Sequence, residues 1–368
     1  MSRTVKEGKI SGLRRLAIYI GRFFTWLILT ILVIVLGLYL FLYLINKGPS
    51  PHFRDLFVSS VMESSAGGIL ARLYLTDEEI AEIQTRNRTE EIQEITDVSL
   101  VIFDLSADPD VQAADGADEA SADPESGYVH DDPDGDGIEI HEVHGETYSG
   151  MMMIVYDPSR VVVSSIPSYT HGYMGWTIQQ HVENNGAVAG INGGKYEDNN
   201  GLGSGAWPEG VVISNGRCLN GNDGRTYGVY GFNEDNILIV GNMTASAAMD
   251  MGIRDAVTFG PALVVNGAAV PYQGAGGGLN PRTAIGQRDD GAVLMLVIEG
   301  RKSSSLGATM ADLIEIMLDY GAINAANMDG GMSSTMFYEG EIIVDNATVR
   351  DTRRIPTAFI VMPLSDSE

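Results

Sequence analysis

Cysteine and, beyond the first 54 residues, basic side chains are scarce in this chain of 368 residues. The single cysteine, Cys218, excludes an intramolecular disulfide framework and any zinc or iron–sulfur site that needs several thiolates. After Arg54 the chain carries 15 Lys or Arg against 48 Asp or Glu, a formal charge of −33. So acidic a surface argues against nucleic acid as a partner, because phosphate backbones require a basic face.

Signatures of several common enzyme classes are missing as well. The six histidines form no His-Glu-x-x-His pattern, and no Gly-x-Ser-x-Gly elbow occurs. The glycine-rich stretches 201–207 and 274–278 lack the strand–loop–helix context of a nucleotide-binding loop. The sequence therefore predicts neither a zincin, nor a serine hydrolase of that type, nor a nucleotide-binding site.

The N-terminal part predicts a membrane anchor. Residues 23–45 carry no charge, and at a rise of about 1.5 Å per residue they can cross a hydrocarbon core of about 30 Å. Six basic residues precede this run, so the positive-inside rule assigns residues 1–22 to the cytoplasm and the C-terminal part to the exterior. A cleaved signal peptide is the alternative, but the apolar run is too long for one and no small-x-small site follows it. We therefore expect a single-pass protein of the cell membrane.

Two segments separate this anchor from the rest of the chain. Residues 46–103 predict a juxtamembrane stalk or a packing helical region, in which Thr76 to Glu79 begins like a capping box and one or two helices are expected up to about Ile95. Residues 104–144 predict a solvated acidic insertion or linker. Its run from Asp132 to Gly137 begins like a calcium loop, but Val143 stands where the final glutamate belongs. Calcium is thus a possible cofactor only, no other cofactor is predicted, and the metal ligands stay unknown.

Residues 145–368 predict one domain of the α+β class, with a mixed sheet and few helices, preceded by the single membrane helix. Helices are expected at 174–185, 244–251 and 309–320, and they do not alternate regularly with the strands. The strand-like apolar runs are 152–156, 161–163, 187–192, 211–214, 237–240, 256–260, 262–265, 292–300 and 357–362.

Three segments of this domain place polar side chains among glycines beside predicted strands. They are 191–196 (INGGKY), 280–286 with the later 299–301 (NPRTAIG and EGR), and 324–334 (NAANMDGGMSS). Glycine permits positive φ and the close approach of a ligand. Taken singly, each segment is also explained by ordinary turn chemistry.

Taken together and in this order, the three segments resemble the phosphodiester glycosidase family. The resemblance covers about 145–363. Met332 stands where the family often has a third glycine, and Glu299 where it often has Asp. The resemblance implies an enzyme that acts on a carbohydrate phosphodiester and cleaves the bond between sugar C1 and the phosphate oxygen.

The same resemblance implies the site residues. Asp329 and Glu299 are the predicted catalytic carboxylates, and Arg282 and Arg301 are predicted to bind phosphate. The other predicted substrate-binding residues are Asn192, Gly193, Gly194, Tyr196, Asn327, Gly330, Gly331, Ser333 and Ser334.

The combined prediction is a membrane-anchored extracytoplasmic hydrolase of glycosyl-1-phosphodiesters in surface polysaccharide or wall polymer. A non-catalytic glycan-binding or wall-polymer-binding accessory protein of exopolysaccharide assembly would use the same pocket without turnover. Transfer of the sugar to another acceptor would use the same groups.

Overall fold

The computed structural model describes residues 12–64, 68–101, 132–133, 135–170, 172–198, 203–346 and 353–364. Its N-terminal element is helix α1 (Gly12–Lys47), whose side chains are almost all exposed. α1 is long and apolar enough to span a membrane, which agrees with the predicted span at 23–45. By length and composition it suits an anchor or a signal sequence.

Three short helices follow and pack on one another. They are α2 (Pro51–Met62), α3 (Gly68–Arg72) and α4 (Asp77–Thr85), with Val58, Ala71 and Ile80 among their buried contacts. The predicted capping box is present, because Thr76 and Glu79 each bond the other's backbone N–H. α4 ends at Thr85, so the expectation of helix up to Ile95 was wrong.

The chain after α4 lies along the rest of the molecule instead of forming a free stalk. Thr89 bridges to Tyr272, and the Thr96 N–H donates to the carbonyl of Val240 over 3.1 Å. Residues 89–97 therefore attach the three helices α2, α3 and α4 to residues 145–368, which are the part of the chain predicted as the domain.

Three antiparallel sheets form that part. The seven-stranded sheet has the order β1 (Ile138–His144), β2 (Ser149–Val155), β13 (Val293–Ile298), β12 (Arg282–Arg288), β14 (Ala322–Met328), β10 (Ala262–Val265), β11 (Ala268–Ala269). The second sheet has the order β16 (Glu341–Asp345), β15 (Thr335–Tyr338), β4 (Ala189–Asn192), β17 (Thr357–Val361), β3 (Val161–Ser165). The third has the order β6 (Arg217–Asn220), β5 (Val212–Ser214), β9 (Ile253–Thr258), β7 (Tyr227–Asn233), β8 (Leu238–Met243).

The main core lies where these sheets meet. Met153 and Ile285 of the first sheet, Phe359 of the second and Phe232 of the third are fully buried together, and the two phenylalanine rings meet edge to face at 6.4 Å. Burial of such side chains contributes about 1.5–3 kcal/mol each. Helices α5 (Ile178–Asn185), α6 (Ala245–Asp250) and α7 (Met310–Asp319) cover outer faces of the sheets.

The α+β class predicted from the sequence is confirmed. Each of the nine apolar runs contains a strand, and each of the three predicted helices is present with a threonine N-cap. β1 lies inside the segment predicted as acidic insertion, where it pairs with β2 along its whole length. Most of the remainder of that segment lies outside the described residues.

Candidate active site

Three strands of the seven-stranded sheet end or begin at one edge. Arg282, the first residue of β12, is opposite Ile298, the last residue of β13, and Thr283 is opposite Met328, the last residue of β14. The antiparallel register therefore brings two of the predicted polar segments together, namely 280–282 with 299–301, and 329–334.

The third segment comes from the second sheet. Asn192, at the end of β4, donates from Nδ2 to the backbone carbonyl of Asp329 over 2.6 Å and accepts from the hydroxyl of Thr283 over 2.7 Å. The carbonyl of Gly193 accepts from the N–H of Asp329 over 3.2 Å. Asn192 is fully buried, so it positions the backbone of Asp329 and does not line the opening.

Gly193 and Gly194 are required by close packing. A Cβ on Gly193 would lie 2.7 Å from the hydroxyl oxygen of Thr357, and one on Gly194 would lie 2.7 Å from the carbonyl oxygen of Thr258. Both distances are too short for a side chain. Their role in this structure is to let β4 turn tightly toward Tyr196.

A pocket of about 380 Å³ opens at this meeting point. That volume lies at the small end of the range for small-molecule sites. Its wall contains eight of the predicted site residues: Tyr196, Arg282, Arg301, Asn327, Asp329, Gly330, Gly331 and Ser333. Glu63, Asp198, Asn280 and Arg353 also line it and were not predicted.

Asp329 is the carboxylate directly after β14. Part of its surface faces the pocket, yet protein atoms surround the carboxyl group, and this desolvation raises its pKa to about 7. Hydrogen bonds from the Ser333 hydroxyl and the Gly330 N–H act in the opposite direction and favour the ionised form. A carboxyl group with a pKa near neutrality can exchange a proton during catalysis.

A chain of hydrogen bonds leads away from this carboxylate. Because the Ser333 hydroxyl donates to Asp329, it accepts from the hydroxyl of Tyr196, whose oxygen is 2.9 Å away. Tyr196 in turn accepts from Nε of Arg353 over 2.7 Å, and Arg353 forms an ion pair with Asp198. Every donor thus points toward Asp329.

Two arginines face the pocket in different states. The guanidinium of Arg282 is buried and donates to the carbonyls of Ala308 and Gly278 as well as to a carboxylate. Arg301 remains accessible, donates to Oδ1 of Asn280 over 2.8 Å, and forms no ion pair within the described residues. Partial desolvation and the charge of Arg282 lower the pKa of Arg301 below its usual value.

Arg301 lies close to the loop after Asp329. A Cβ on Gly331 would sit 3.6 Å from both terminal nitrogens of Arg301, and Gly331 has a φ of +66°, which favours glycine. Glycine here therefore allows the loop to turn beside a cation. The loop that follows Asp329 therefore runs beside this positive charge, and both side chains line the same pocket.

The carboxylate on Arg282 belongs to Glu63, which follows α2. Its Oε2 lies 2.6 Å from Nη2 of Arg282 and accepts from Nδ2 of Asn280 over 2.9 Å, while Oε1 accepts from the N–H of Gly278 over 3.0 Å. Sequence reasoning missed Glu63 because it lies in the region predicted as a stalk. No local pattern marks it.

Asn327 lines the pocket and carries a buried acceptor. Its Nδ2 donates to the carbonyl of Gly260 over 2.8 Å, whereas its buried Oδ1 has no partner among the described residues. A sugar hydroxyl that reached this oxygen would satisfy it. Ser334 is also buried and its hydroxyl oxygen also has no partner in the described structure, but it is not part of the pocket wall.

Glu299 is not part of the pocket wall in the described residues. Its carboxylate pairs with Lys302 over 2.6 Å and accepts from the hydroxyl of Ser149 over 3.2 Å. Glu299 follows the last residue of β13, and these two contacts hold its side chain outside the pocket wall. The geometry therefore favours Asp329 over Glu299 as the catalytic carboxylate, while Glu63 is a glutamate that does line the pocket.

No group of three His, Cys, Asp or Glu side chains comes together as a metal site within the described ranges. In the run that begins like a calcium loop, the carboxylate of Asp132 accepts from the N–H groups of Gly135 and Gly137. Asp136 accepts from the N–H of Ile138 and the hydroxyl of Tyr338. In the described structure these oxygens close a turn before β1.

Comparison with known proteins identifies the class of this domain. Residues 185–362, just under half of the chain, match the model of the phosphodiester glycosidase family, and this match confirms the predicted resemblance. A SPbeta prophage-derived uncharacterized protein, YomE of Bacillus subtilis (strain 168), is 32% identical over 143 residues. That match covers 37% of this chain and 22% of YomE, so the chain spans about a fifth of that relative.

Two solved structures are similar to this chain to different degrees. One is the zebrafish N-acetylglucosamine-1-phosphodiester alpha-N-acetylglucosaminidase catalytic domain, auto-inhibited by its pro-peptide, with a TM-score of 0.52, 18% identity, and coverage of 61% of this chain and 82% of that one. The other is a putative exported protein from Burkholderia pseudomallei K96243, with a TM-score of 0.45, 16% identity, and coverage of 59% and 74%. The zebrafish domain confirms the fold.

Proposed function

We propose that this chain is a membrane-anchored hydrolase with its domain on the extracytoplasmic side, where it cleaves the C1–O bond of glycosyl-1-phosphodiesters in surface polysaccharide or wall polymer. The family and fold support hydrolysis of this bond type. One observation carries the proposal: Asp329, with its pKa near 7, shares a small pocket with Arg301, an accessible cation that forms no ion pair in the described part of the chain.

The chemistry follows from these two charges. The ionised Asp329 takes a proton from a water molecule, the water oxygen attacks C1, and the C1–O bond breaks with its electron pair leaving on the phosphate oxygen. The products are a free sugar and a phosphomonoester. A phosphate is a good leaving group, so this step needs no strong acid. Arg301 instead stabilises the charge that gathers on the phosphate.

The remaining pocket residues fit supporting roles in this proposal. Arg282 adds positive charge behind Arg301 and holds the wall through Glu63. Asn327 accepts from a sugar hydroxyl, and the bonds from Tyr196 to Ser333 and from Ser333 to Asp329 keep the carboxylate oriented. Asn192, Gly193, Gly194 and Ser334 support the site from behind.

The orientation in the membrane is proposed from charge. The basic residues precede the apolar part of α1, and the acidic domain follows it. An acidic domain repels anionic substrates in general, so the cations of the pocket have to supply local attraction.

The decisive experiment measures sugar release from a panel of glycosyl-1-phosphodiesters by the full chain in detergent. Wild type is expected to release sugar, and Asp329→Asn to bind the same compounds without releasing it. Binding by both proteins with release by neither would replace the hydrolase with the glycan-binding accessory protein. Products in which the sugar is joined to an added acceptor instead of water would indicate transfer.

A further inference from the structure

The helices that follow α1 expose a set of large apolar side chains. Phe53 of α2, Ile69 and Leu70 of α3 and the adjacent Leu73 are between 38% and 68% exposed. We refer to these four residues as the α2–α3 apolar face. The opposite side chains of the same helices, such as Val58 and Ala71, fill the small core with α4. Exposed apolar residues that cluster in this way mark a surface that is covered by something.

The position of α3 along α1 indicates what covers it. Tyr74, directly after Leu73, donates from its hydroxyl to the carbonyl of Tyr39 over 3.1 Å, and its ring packs on those of Tyr39 and Tyr43. Tyr39 lies eight residues before the end of α1, which is about 12 Å along the helix axis. Leu73 is therefore level with the apolar part of α1 and not beyond its end.

The acidic side chains of the same helical unit are concentrated on α4. This helix exposes Asp77, Glu78 and Glu82, which require water. α3 carries no acidic residue, and its one charged side chain, Arg72, pairs with Asp77 over 3.0 Å. The three helices thus form an amphipathic unit with exposed apolar side chains on α2 and α3 and exposed acidic side chains on α4, as expected for an element that lies in a membrane interface.

This unit is continuous with the pocket. Gly68, where α3 begins, lies against Met62, so that a Cβ there would be 3.4 Å from the sulfur. Glu63, the residue after Met62, is part of the pocket wall. The hydroxyl oxygen of Ser60 accepts from the N–H of Leu279 over 2.8 Å, and this bond joins α2 to the loop before Arg282. α2 is about 18 Å long, so the pocket lies within that distance of the apolar face.

We propose that the α2–α3 apolar face lies in the interfacial layer of the bilayer beside α1 and holds the pocket at the membrane surface. The substrate is then a glycosyl-1-phosphodiester whose phosphate is attached to a membrane lipid; this second part rests on the proposed function. Water adds to C1, the C1–O bond breaks, and the electron pair leaves with the phosphate, which stays on the lipid as a monoester. The sugar is released into water.

The first test locates the face. In a full-length Cys218→Ser chain, a bimane label is attached at Leu73→Cys or, as a control, at Leu219→Cys, which is exposed on β6. Each protein is reconstituted in phosphatidylcholine vesicles that contain doxyl-labelled lipid. We expect quenching at position 73 to be at least threefold stronger than at 219. Equal quenching, or a disulfide between two Leu73→Cys chains without quenching, would overturn the bilayer as the occupant.

The second test addresses the substrate and separates it from the proposed function. Wild type and Leu73→Glu are compared on one sugar-1-phosphate esterified either to a lipid in vesicles or to a short water-soluble alcohol. We expect wild type to cleave the lipid-borne diester about tenfold faster, and Leu73→Glu to lose that preference while keeping its rate on the soluble one. Cleavage of the soluble diester at an equal or higher rate would overturn the lipid substrate and leave the hydrolase. Cleavage of neither would overturn the hydrolase, while the quenching result would still decide the membrane face.

Discussion

The carboxylate of Glu63 lies 2.6 Å from the guanidinium of Arg282, although 219 positions separate the two residues in the chain. The pair joins α2, through the residue that follows it, to the edge of the seven-stranded sheet that carries the pocket. It also places a negative charge on one of the two arginines that are proposed to attract the phosphate. In that proposal Glu63 competes with the substrate for Arg282.

Replacing this carboxylate is expected to strengthen substrate binding. In Glu63→Gln the amide keeps a hydrogen-bonding partner near Asn280 and Gly278 but no longer neutralises Arg282. KM should therefore fall about three- to tenfold, while kcat should change less than twofold. Steady-state kinetics on a glycosyl-1-phosphodiester measures both. Glu82→Gln, on the exposed side of α4, is the matched control. If Glu63→Gln instead turned over substrate at least about 100-fold more slowly, Glu63 would be a second catalytic carboxylate.

Asp329 is expected to carry the proton transfer. Asp329→Asn should lower kcat at least about 100-fold, since a positioned acid–base group typically contributes 10²–10⁴-fold, and should leave substrate affinity within about threefold. For wild type, kcat/KM should rise with pH through an apparent pKa of about 7, because the carboxylate must be ionised to accept a proton. A rate that falls over the same pH range would reverse the assignment from base to acid.

The two neighbouring serines offer a matched pair of variants. Ser333 donates to Asp329 and favours its ionised form, so Ser333→Ala should raise the pKa of Asp329 and move the pH–rate profile to higher pH while the alkaline plateau is largely kept. Ser334 is buried, and its hydroxyl oxygen has no partner among the described residues, so Ser334→Ala should leave the profile in place. Profiles measured from pH 5 to 9 test this. Identical shifts in both variants would mean that the loop as a whole sets the pKa.

Arg301 is expected to bind the phosphate. Arg301→Ala should raise KM about 10- to 100-fold, and it should weaken the dependence of KM on salt because the charged contact is lost. Arg217→Ala removes an exposed charge on β6 and serves as the control. KM is measured for both variants over a range of salt concentrations. If Arg301→Ala and Arg217→Ala changed KM and its salt dependence alike, Arg301 would not be the residue that binds the phosphate.

The buried carboxyl of Asp329 should also affect stability. Its pKa is raised from 3.8 to about 7 on folding, so between these values the folded state binds a proton that the unfolded state has released. Stability is then highest below pH 4 as far as this group is concerned, falls as pH rises toward 7, and stays low above it. The free energy of unfolding of Asp329→Asn should therefore exceed that of wild type by an amount that grows from pH 5 to pH 8. This difference should reach on the order of 1–2 kcal/mol, after allowance for solvent screening. Thermal unfolding at both pH values measures the change, and a constant difference would contradict it.

The sequence predicts the interior of the fold better than the edge that carries the pocket. Uninterrupted apolar runs identify strands such as β13, and threonine caps identify the starts of α5 and α7, because both signals are local. β12 and β14 have neither of these local signals. They carry Gln287, Arg288 and Asn324 in fully or nearly fully buried positions, although such residues resemble a loop in the sequence. Hydrogen bonds hold Gln287 and Oδ1 of Asn324, and an ion pair holds Arg288.

The residues of the candidate site also divide into those that the sequence predicts and those that it does not. Asp329, Arg301 and Tyr196 could be predicted because each lies beside glycines in a motif that is contiguous in the chain. Glu63 could not, since its three partners all lie more than 210 positions away. Glu299 lies at a strand end that was identified correctly, but the direction of its side chain is set by Lys302 and Ser149, which no local pattern in the sequence reveals.

Gly278 touches the backbone of α2 so closely that a Cβ there would lie 2.1 Å from the N atom of Ser60. Neither side of that contact can change its shape alone, so the helix beside the anchor and the loop before Arg282 have to be inherited together. Natural exchange of one membrane anchor for another is compatible with an intact pocket only if the junction falls before Pro51. The part of the chain that has to be kept with the pocket therefore begins at the start of α2, upstream of every strand in the described structure.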